Sequence, residues 1–537
     1  YISFQLPYDL PYGEYNLKLS IDARHPVTQL SIGVRQSTAS FAITLIDNRF
    51  PWDCENSTHS APIVYDFNND DNLDIMYLDV FGETYLIGTD GEQFGGFDAP
   101  SEQNVMRSSA MGDINNDGNP DLVFSSRTGT VYATTLSGTP IFNYDSGSSF
   151  LFTPVIADID GDGTNEVLVH SLDKRLFAFR ANGTQVPGFP VSLTSTFPSE
   201  LAAADLDNDG ACEIILGTQN GQLHVIRGNG LAQTGFPVNV GGPVTGSPLV
   251  LENNRIAIGA GPNLVLISSS GSEVFSKALS AAVPNGAVPA DLTRDGSSEL
   301  VFTTLDGKLY AVNQSGNDLP GFPINIGASF TAPPLIADLD GDVYLEILMQ
   351  GYISSVYAFN HDGSNVPGFP FGTSFNGNTP ATLTDLDGDG ILRLISGYST
   401  GILVVNLRRP VTAKMPWTVY RGGLMRQGSY AATGYVDNPN QTIPPLRDQL
   451  LQNYPNPFNP STSISFSLSK ASHASLRIYN LKGQLVRTLL DGQLSQGSHT
   501  LVWDGRDSSG TSVASGVYLY RLDTPESSFG KRMLLMK

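Results

Sequence analysis

The chain is poor in cysteine, in basic residues and in long apolar runs, and each shortage excludes a class of protein. Its 537 residues contain two cysteines, Cys54 and Cys212, too few for a disulfide framework. Only 30 Lys and Arg stand against 52 Asp and Glu, for a formal charge of −22. An acidic chain without a Lys/Arg cluster is a poor match for nucleic acid or an anionic membrane surface. No apolar run reaches the ~18 residues that cross a bilayer as a helix, and no stretch carries a helical period. The seven histidines are scattered without a His-x-x-x-His pair, which removes the simplest zinc-protease reading. Gly397-Tyr-Ser399-Thr-Gly401 has nucleophile-elbow spacing but aligns with a hairpin turn of the repeat described next, not with a strand-to-helix turn. No catalytic residue is expected. The sequence begins at Tyr1 with neither Met nor a signal-like stretch, which reads as a processed or truncated form.

What the chain does have is a nine-residue acidic loop recurring about every 46 residues. Its first positions fall at Asp66, Asp113, Asp158, Asp205, Asp291, Asp338 and Asp385, with a degenerate copy at Leu251. Positions 1, 3, 5, 7 and 9 are Asp66, Asn68, Asp70, Asn72 and Asp74 in the first copy, and Asp113, Asn115, Asp117, Asn119 and Asp121 in the second. They are Asp158, Asp160, Asp162, Thr164 and Glu166 in the third, and Asp205, Asp207, Asp209, Ala211 and Glu213 in the fourth. Asp291, Thr293, Asp295, Ser297 and Glu299 follow, then Asp338, Asp340, Asp342, Tyr344 and Glu346. The last copy keeps Asp385, Asp387 and Asp389 but places Arg393 at position 9, a cation that partly cancels the site. Carboxylates at 1, 3, 5 and 9 with a backbone carbonyl at 7 form an oxygen cage suited to Ca²⁺. A set of Asp/Gly turns is the bland alternative; seven copies in register argue against it. Five to seven bound Ca²⁺ ions are expected, and 24 of the 52 acids occupy positions 1, 3, 5 and 9 of these loops.

The period and the content of each unit indicate the architecture. Residues 151–195 show short apolar or alternating runs at 152–159, 167–170, 176–180 and 188–191, separated by Gly, Asp, Asn and Pro. Four strands per unit at a fixed period of 40–50 residues make propeller blades. Pro-Gly-Phe-Pro, at 187–190, 320–323 and 367–370, follows the third strand and is expected to mark the crossing to the next blade. Over residues 60–430 the repeats resemble the FG-GAP/VCBS repeats of integrin-α-type propellers, whose Asp-x-Asp-x-Asp-Gly-x-x-Asp/Glu hairpins bind Ca²⁺. The expected fold is all-β, an eight-bladed β-propeller over 51–430, with seven blades as the alternative.

Two further regions flank it. Residues 1–50 alternate at Ile2–Leu6, Tyr15–Ile21, Leu30–Val34 and Phe41–Leu45, which predicts four amphipathic strands with one apolar face and open edges. Residues 431–447 are polar and Pro-rich, a linker by composition. Residues 448–537 show about seven short strands, an immunoglobulin-like sandwich. Asn453-Tyr-Pro-Asn-Pro-Phe-Asn-Pro460, Leu476-Arg-Ile-Tyr-Asn480 and Trp503-Asp-Gly-Arg-Asp507 resemble the C-terminal sorting domain of bacterial type IX secretion. That resemblance implies export across a Gram-negative outer membrane, to the extracellular space or the outer cell surface. The expectation is a secreted surface protein, structural or adhesive, with other copies of itself (in a filament) or a surface protein or glycan as partner. A polysaccharide-binding module or a propeller enzyme acting on extracellular polymer is the alternative.

Overall fold

A computed structural model describes residues 47–430 and 449–536, apart from 99–107, 451–457 and short gaps, together with two strands at 13–24 and 31–43. The chain divides into two compact units, 11–438 and 439–537 with 1–10. The sequence-defined linker 431–447 and the runs Ile2–Leu6 and Leu45 lie outside the described residues.

Among the described residues the first unit contains eight four-stranded antiparallel sheets. Sheets 1 to 7 span residues 63–98, 110–145, 155–192, 202–239, 249–278, 288–325 and 335–372. Sheet 8 takes three strands from 382–410 and its fourth, Trp52–Asp53, from the segment before sheet 1. Within sheets 1 to 7 the strands follow in chain order with the first at one edge; in sheet 8 the order is Trp52–Asp53, 401–410, 391–398 and 382–384. Strands 2 and 3 are buried almost end to end, as in Glu166–His170 and Arg175–Phe179. They therefore read as continuous apolar runs, because both faces pack on a neighbouring sheet.

Apolar clusters join every consecutive pair of sheets. Val123 and Val131 of sheet 2 pack with Ile156 and Val169 of sheet 3, and Leu168 with Leu216 of sheet 4. Ile63 and Met76 of sheet 1 pack with Met111 and Leu122 of sheet 2. Sheet 8 returns to sheet 1 through Ile395, Ile402 and Val404 against Val64, Ile75 and Tyr77. The arrangement is that of a β-propeller.

The Pro-Gly-Phe-Pro phrase sits just before the short outer strand, as at Val191–Ser192. Gly188 has φ +100°, and a Cβ there would lie 2.1 Å from the Asn229 carbonyl oxygen in the next repeat. Glycine thus permits both the turn and the contact between neighbours.

One segment was not anticipated. Residues 417–430 run around the inner strands of the ring. Trp417, Thr418, Leu424, Met425, Gln427 and Gly428 each accept, on the main-chain oxygen, a bond from Ile336, Leu383, Met111, Ile156, Ala203 and Val250 respectively, at 2.8–3.0 Å. These donors belong to the first strands of sheets 7, 8, 2, 3, 4 and 5. Inner-edge N–H groups would otherwise lack partners. Arg421 and Arg426 are buried in this segment.

The two described N-terminal strands, Gly13–Arg24 and Ser31–Ile43, form one antiparallel hairpin. The described parts of the expected strands, 31–34 and 41–43, therefore belong to a single 13-residue strand, Ser31–Ile43. Its small polar centre, Ser37-Thr38-Ala39-Ser40, looks like a break. It stays extended because each residue has a pairing partner in Asn16–Leu19.

The second unit packs a three-stranded sheet and a four-stranded sheet (strands within 449–503 and 472–535) around Phe466, Leu476, Trp503, Tyr520 and Leu535. Trp503 is fully buried and its indole Nε1–H donates to the Arg506 carbonyl at 2.8 Å. Trp503→Ala should cost this sandwich about 3–5 kcal/mol. Hydrogen exchange over 462–535 in the intact chain should accelerate while the ring is unaffected; unchanged protection there would refute the assignment.

Candidate metal centres

Each acidic loop joins the first and second strands of its sheet, as residues 158–166 join Val155–Ala157 to Glu166–His170. The loops lie side by side. Asn165 Nδ2 donates to the Asp113 carbonyl at 2.8 Å, and the Cys212 N–H to that of Asp158 at 2.8 Å. Asn254 Nδ2 reaches the Asp205 carbonyl at 3.2 Å. The third, fourth and degenerate fifth loops thus each brace their predecessor.

The local geometry repeats. The position-1 carboxylate accepts from backbone N–H groups later in its loop, as Asp205 does from Asp209 and Gly210 at 3.1 and 3.0 Å. The position-9 acid is buried and accepts the N–H of position 2, as Glu213 does from Leu206 at 2.8 Å. These bonds orient the carboxylates toward one another. One oxygen each from Asp158, Asp160 and Glu166 lie within 4.8 Å of one another, as do oxygens of Asp205, Asp207 and Glu213, and of Asp338, Asp340 and Glu346.

The electrostatics fit a cation. Burial, aided by the neighbouring carboxylates, pushes Glu166, Glu213 and Glu299 up to about 7 and Glu346 to about 8. It pushes Asp74 and Asp121 to about 6. Glu166 Oε1 is buried without a hydrogen-bond partner, a cost that a bound cation would remove. The donor set is hard oxygen throughout, which suits Ca²⁺ better than a transition metal.

The remaining loops differ. In the first two, amides stand among the acids: Asn68 and Asn115 accept from the N–H groups of Asp70 and Asp117, both at 2.9 Å. Asn72 and Asn119 donate to Asp70 and Asp117 at 3.0 and 3.1 Å. Thr293 Oγ1 donates to Glu299 at 3.3 Å, and Asp295 accepts the Ser297 N–H at 2.8 Å. Ala211 offers only its backbone. The Tyr344 ring stacks on His361 at 4.0 Å with the Arg294 guanidinium 5.1 Å above it. In the last loop the Arg393 guanidinium lies among Asp387, Asp389 and the Ile391 carbonyl. Arg180 and Arg227, absent from the sequence reading, pair with Asp160 and Asp207 at 2.8 and 2.9 Å. Their signal was a 47-residue offset outside the loop itself.

Other chemistry-bearing residues have structural roles. His170 is buried between Phe152 and Phe197, and burial pushes it to about 3. Cys212 is a free thiol raised to about 12, mainly by burial; Cys54 lies outside the described residues. Gly397 and Gly401 lie on adjacent antiparallel strands, with Gly397 paired to Ile402 and Tyr398 to Gly401. Among the described residues no helix is long and apolar enough to cross a membrane.

An FG-GAP-like repeat family matches residues 158–216, and a FlgD Ig-like domain family matches 455–526. No curated protein sequence matches the chain significantly. Among solved structures, the chain is similar to BamB from Moraxella catarrhalis, with 17% identity, 66% of this chain and 95% of that one covered, and a TM-score of 0.48. Sqt1 of Saccharomyces cerevisiae aligns at 12% identity over 67% of this chain and 98% of its own, with a TM-score of 0.50. The V. cholerae biofilm matrix protein Bap1 aligns at 15% identity over 72% and 95%, with a TM-score of 0.38. The chain carries an FG-GAP-like repeat in a β-propeller fold and a FlgD-like immunoglobulin domain.

Proposed function

We propose that this is a non-enzymatic surface protein of a Gram-negative bacterium, whose body is an eight-bladed propeller stiffened by Ca²⁺ on one rim. The observation that carries the reading is the set of oxygen clusters at Asp158, Asp205 and Asp338, with the buried Glu166 oxygen lacking a partner. FG-GAP-like repeats are commonly extracellular, where ambient Ca²⁺ can fill sites of ~10⁻⁴–10⁻³ M affinity. The sandwich is read as a type IX sorting domain that directs export; the FlgD-like match supports its fold.

Self-association is the proposed structural role. Among the described residues, the hairpin Gly13–Arg24 and Ser31–Ile43 pairs with no other strand, and open sheet edges accept strands from another chain. A head-to-tail contact of this kind propagates as a filament unless it closes. Light scattering at high protein concentration with Ca²⁺ should show large species for the full chain and none after deletion of residues 1–50. A full-length monomer under those conditions would overturn the proposal. The Arg294–Tyr344–His361 stack on the metal rim favours glycan binding as a second reading; loss of glycan-array binding in Tyr344→Ala would support it.

A further inference from the structure

The seventh acidic loop, that of sheet 8, lies where the ring is closed. Arg393 fills the position-9 slot with its side chain only 4% exposed. Its Nη1 lies 2.7 Å from Asp389 Oδ1 and 2.6 Å from the Ile391 carbonyl. Its Nη2 lies 2.7 Å from Asp387 Oδ2 and 2.7 Å from Asp389 Oδ2. These are positions 3, 5 and 7, three of the oxygen positions from which a cation cage is expected in the other loops. A second guanidinium arrives from the segment before the closing strand. Arg49 donates to both Asp387 oxygens at 3.1 and 2.9 Å, to Asp47, and to the Thr89 carbonyl of sheet 1.

We propose that Arg393 is a covalently attached substitute for Ca²⁺ in this loop, and that with Arg49 it forms a metal-independent latch across the seam of the ring. The physical case is one of charge and shape. A planar guanidinium presents several donors in fixed directions, so it can satisfy three or four converging oxygens at once. Its net charge is half that of Ca²⁺, and Arg49 supplies the second positive charge on Asp387. Seam placement has a consequence. Sheet 8 is completed only by the two-residue strand Trp52–Asp53, paired with Ile402 and Gly401. Arg49 lies three residues before that strand, so the ion-pair network tethers the incoming chain to sheets 8 and 1. Depleting Ca²⁺ should then loosen the six other acidic loops while the two ends of the ring stay joined.

The inference rests on the proposal that the sister loops bind Ca²⁺, and two variants separate the two ideas. Arg393→Glu restores the position-9 acid. Dialysed against Ca²⁺ and measured by elemental analysis, it should hold one more ion per chain than the wild type. It should melt below wild type in EDTA, with Ca²⁺ restoring the loss. Arg393→Gln keeps the size and removes the charge. It should melt several degrees below wild type in EDTA, and Ca²⁺ should not repair that deficit. If the wild type holds no Ca²⁺, the sister-loop reading fails while Arg393→Gln in EDTA still decides the latch. The latch is overturned if Arg393→Gln melts with wild type in EDTA, or if a Ca²⁺-binding wild type gains no further ion on Arg393→Glu.

Discussion

Chelating Ca²⁺ should lower the melting temperature of the ring far more than that of the sandwich. A ligand that binds only the folded state adds RT ln(1 + [L]/Kd) per site. At 10 mM Ca²⁺ and a dissociation constant of ~10⁻⁴–10⁻³ M, that is roughly 1.4–2.7 kcal/mol per loop, or roughly 8–16 kcal/mol over six loops. Asp160→Ala with Asp162→Ala should remove one loop's share and leave the others intact. Calorimetry with and without EDTA reads both. Equal melting temperatures in the two buffers would reduce the loops to turns.

The pH dependence of the metal-free protein supplies an independent check. Glu166, Glu213, Glu299 and Glu346 have folded-state values raised to about 7, 7, 7 and 8, chiefly by burial. An acid whose folded pKa lies above its unfolded one binds more protons when folded, so stability falls as pH rises through the interval between them. In EDTA the ring should therefore be more stable near pH 5 than near pH 8. With saturating Ca²⁺ the slope should weaken or reverse, because the cation needs the ionised acids.

Much of this site was legible because the loop chemistry is local. Carboxylate spacing, turn glycines and short apolar runs all sit within one repeat, so Asp158–Glu166 could be read without knowing the fold. Strand lengths were less accessible: the first strand of sheet 3 is Val155–Ala157, shorter than the apolar run 152–159. The missing elements depend on long-range contacts. Nothing around Trp52 marks it as the partner of Ile402. Arg393 reads as a defect in its loop until the oxygens around its guanidinium are seen. Residues 417–430 carry neither the repeat nor a strand period; their role follows from inner-edge donors supplied by six different sheets.

That circuit yields the second large effect. Removing the guanidinium groups of Arg421 and Arg426 should destabilise the ring as a whole rather than one sheet. Arg426 is fully buried, with Nε donating to the Ser109 carbonyl at 3.1 Å and Nη1 to that of Tyr420 at 2.8 Å. Arg421 donates to the Pro248 carbonyl at 2.9 Å and to that of Leu201. Burial holds Arg426 down to about 10, so it remains charged at neutral pH, and burial lowers Arg421 as well. Glu200, itself buried, supplies negative charge nearby and accepts from Thr153 N–H at 2.8 Å and Tyr420 Oη at 3.2 Å. Leaving a buried acceptor without its donor costs about 1–3 kcal/mol. Arg426→Ala should therefore cost about 2–6 kcal/mol for its two acceptors, plus a cavity term. Arg426→Met keeps most of the volume, removes the buried charge and should cost less. In urea titrations both variants should lower the ring's midpoint, with exchange rising together at 110–112, 155–157 and 202–204. Exchange confined to 417–430, with those inner strands still protected, would mean the segment merely rests in the ring and does not hold it.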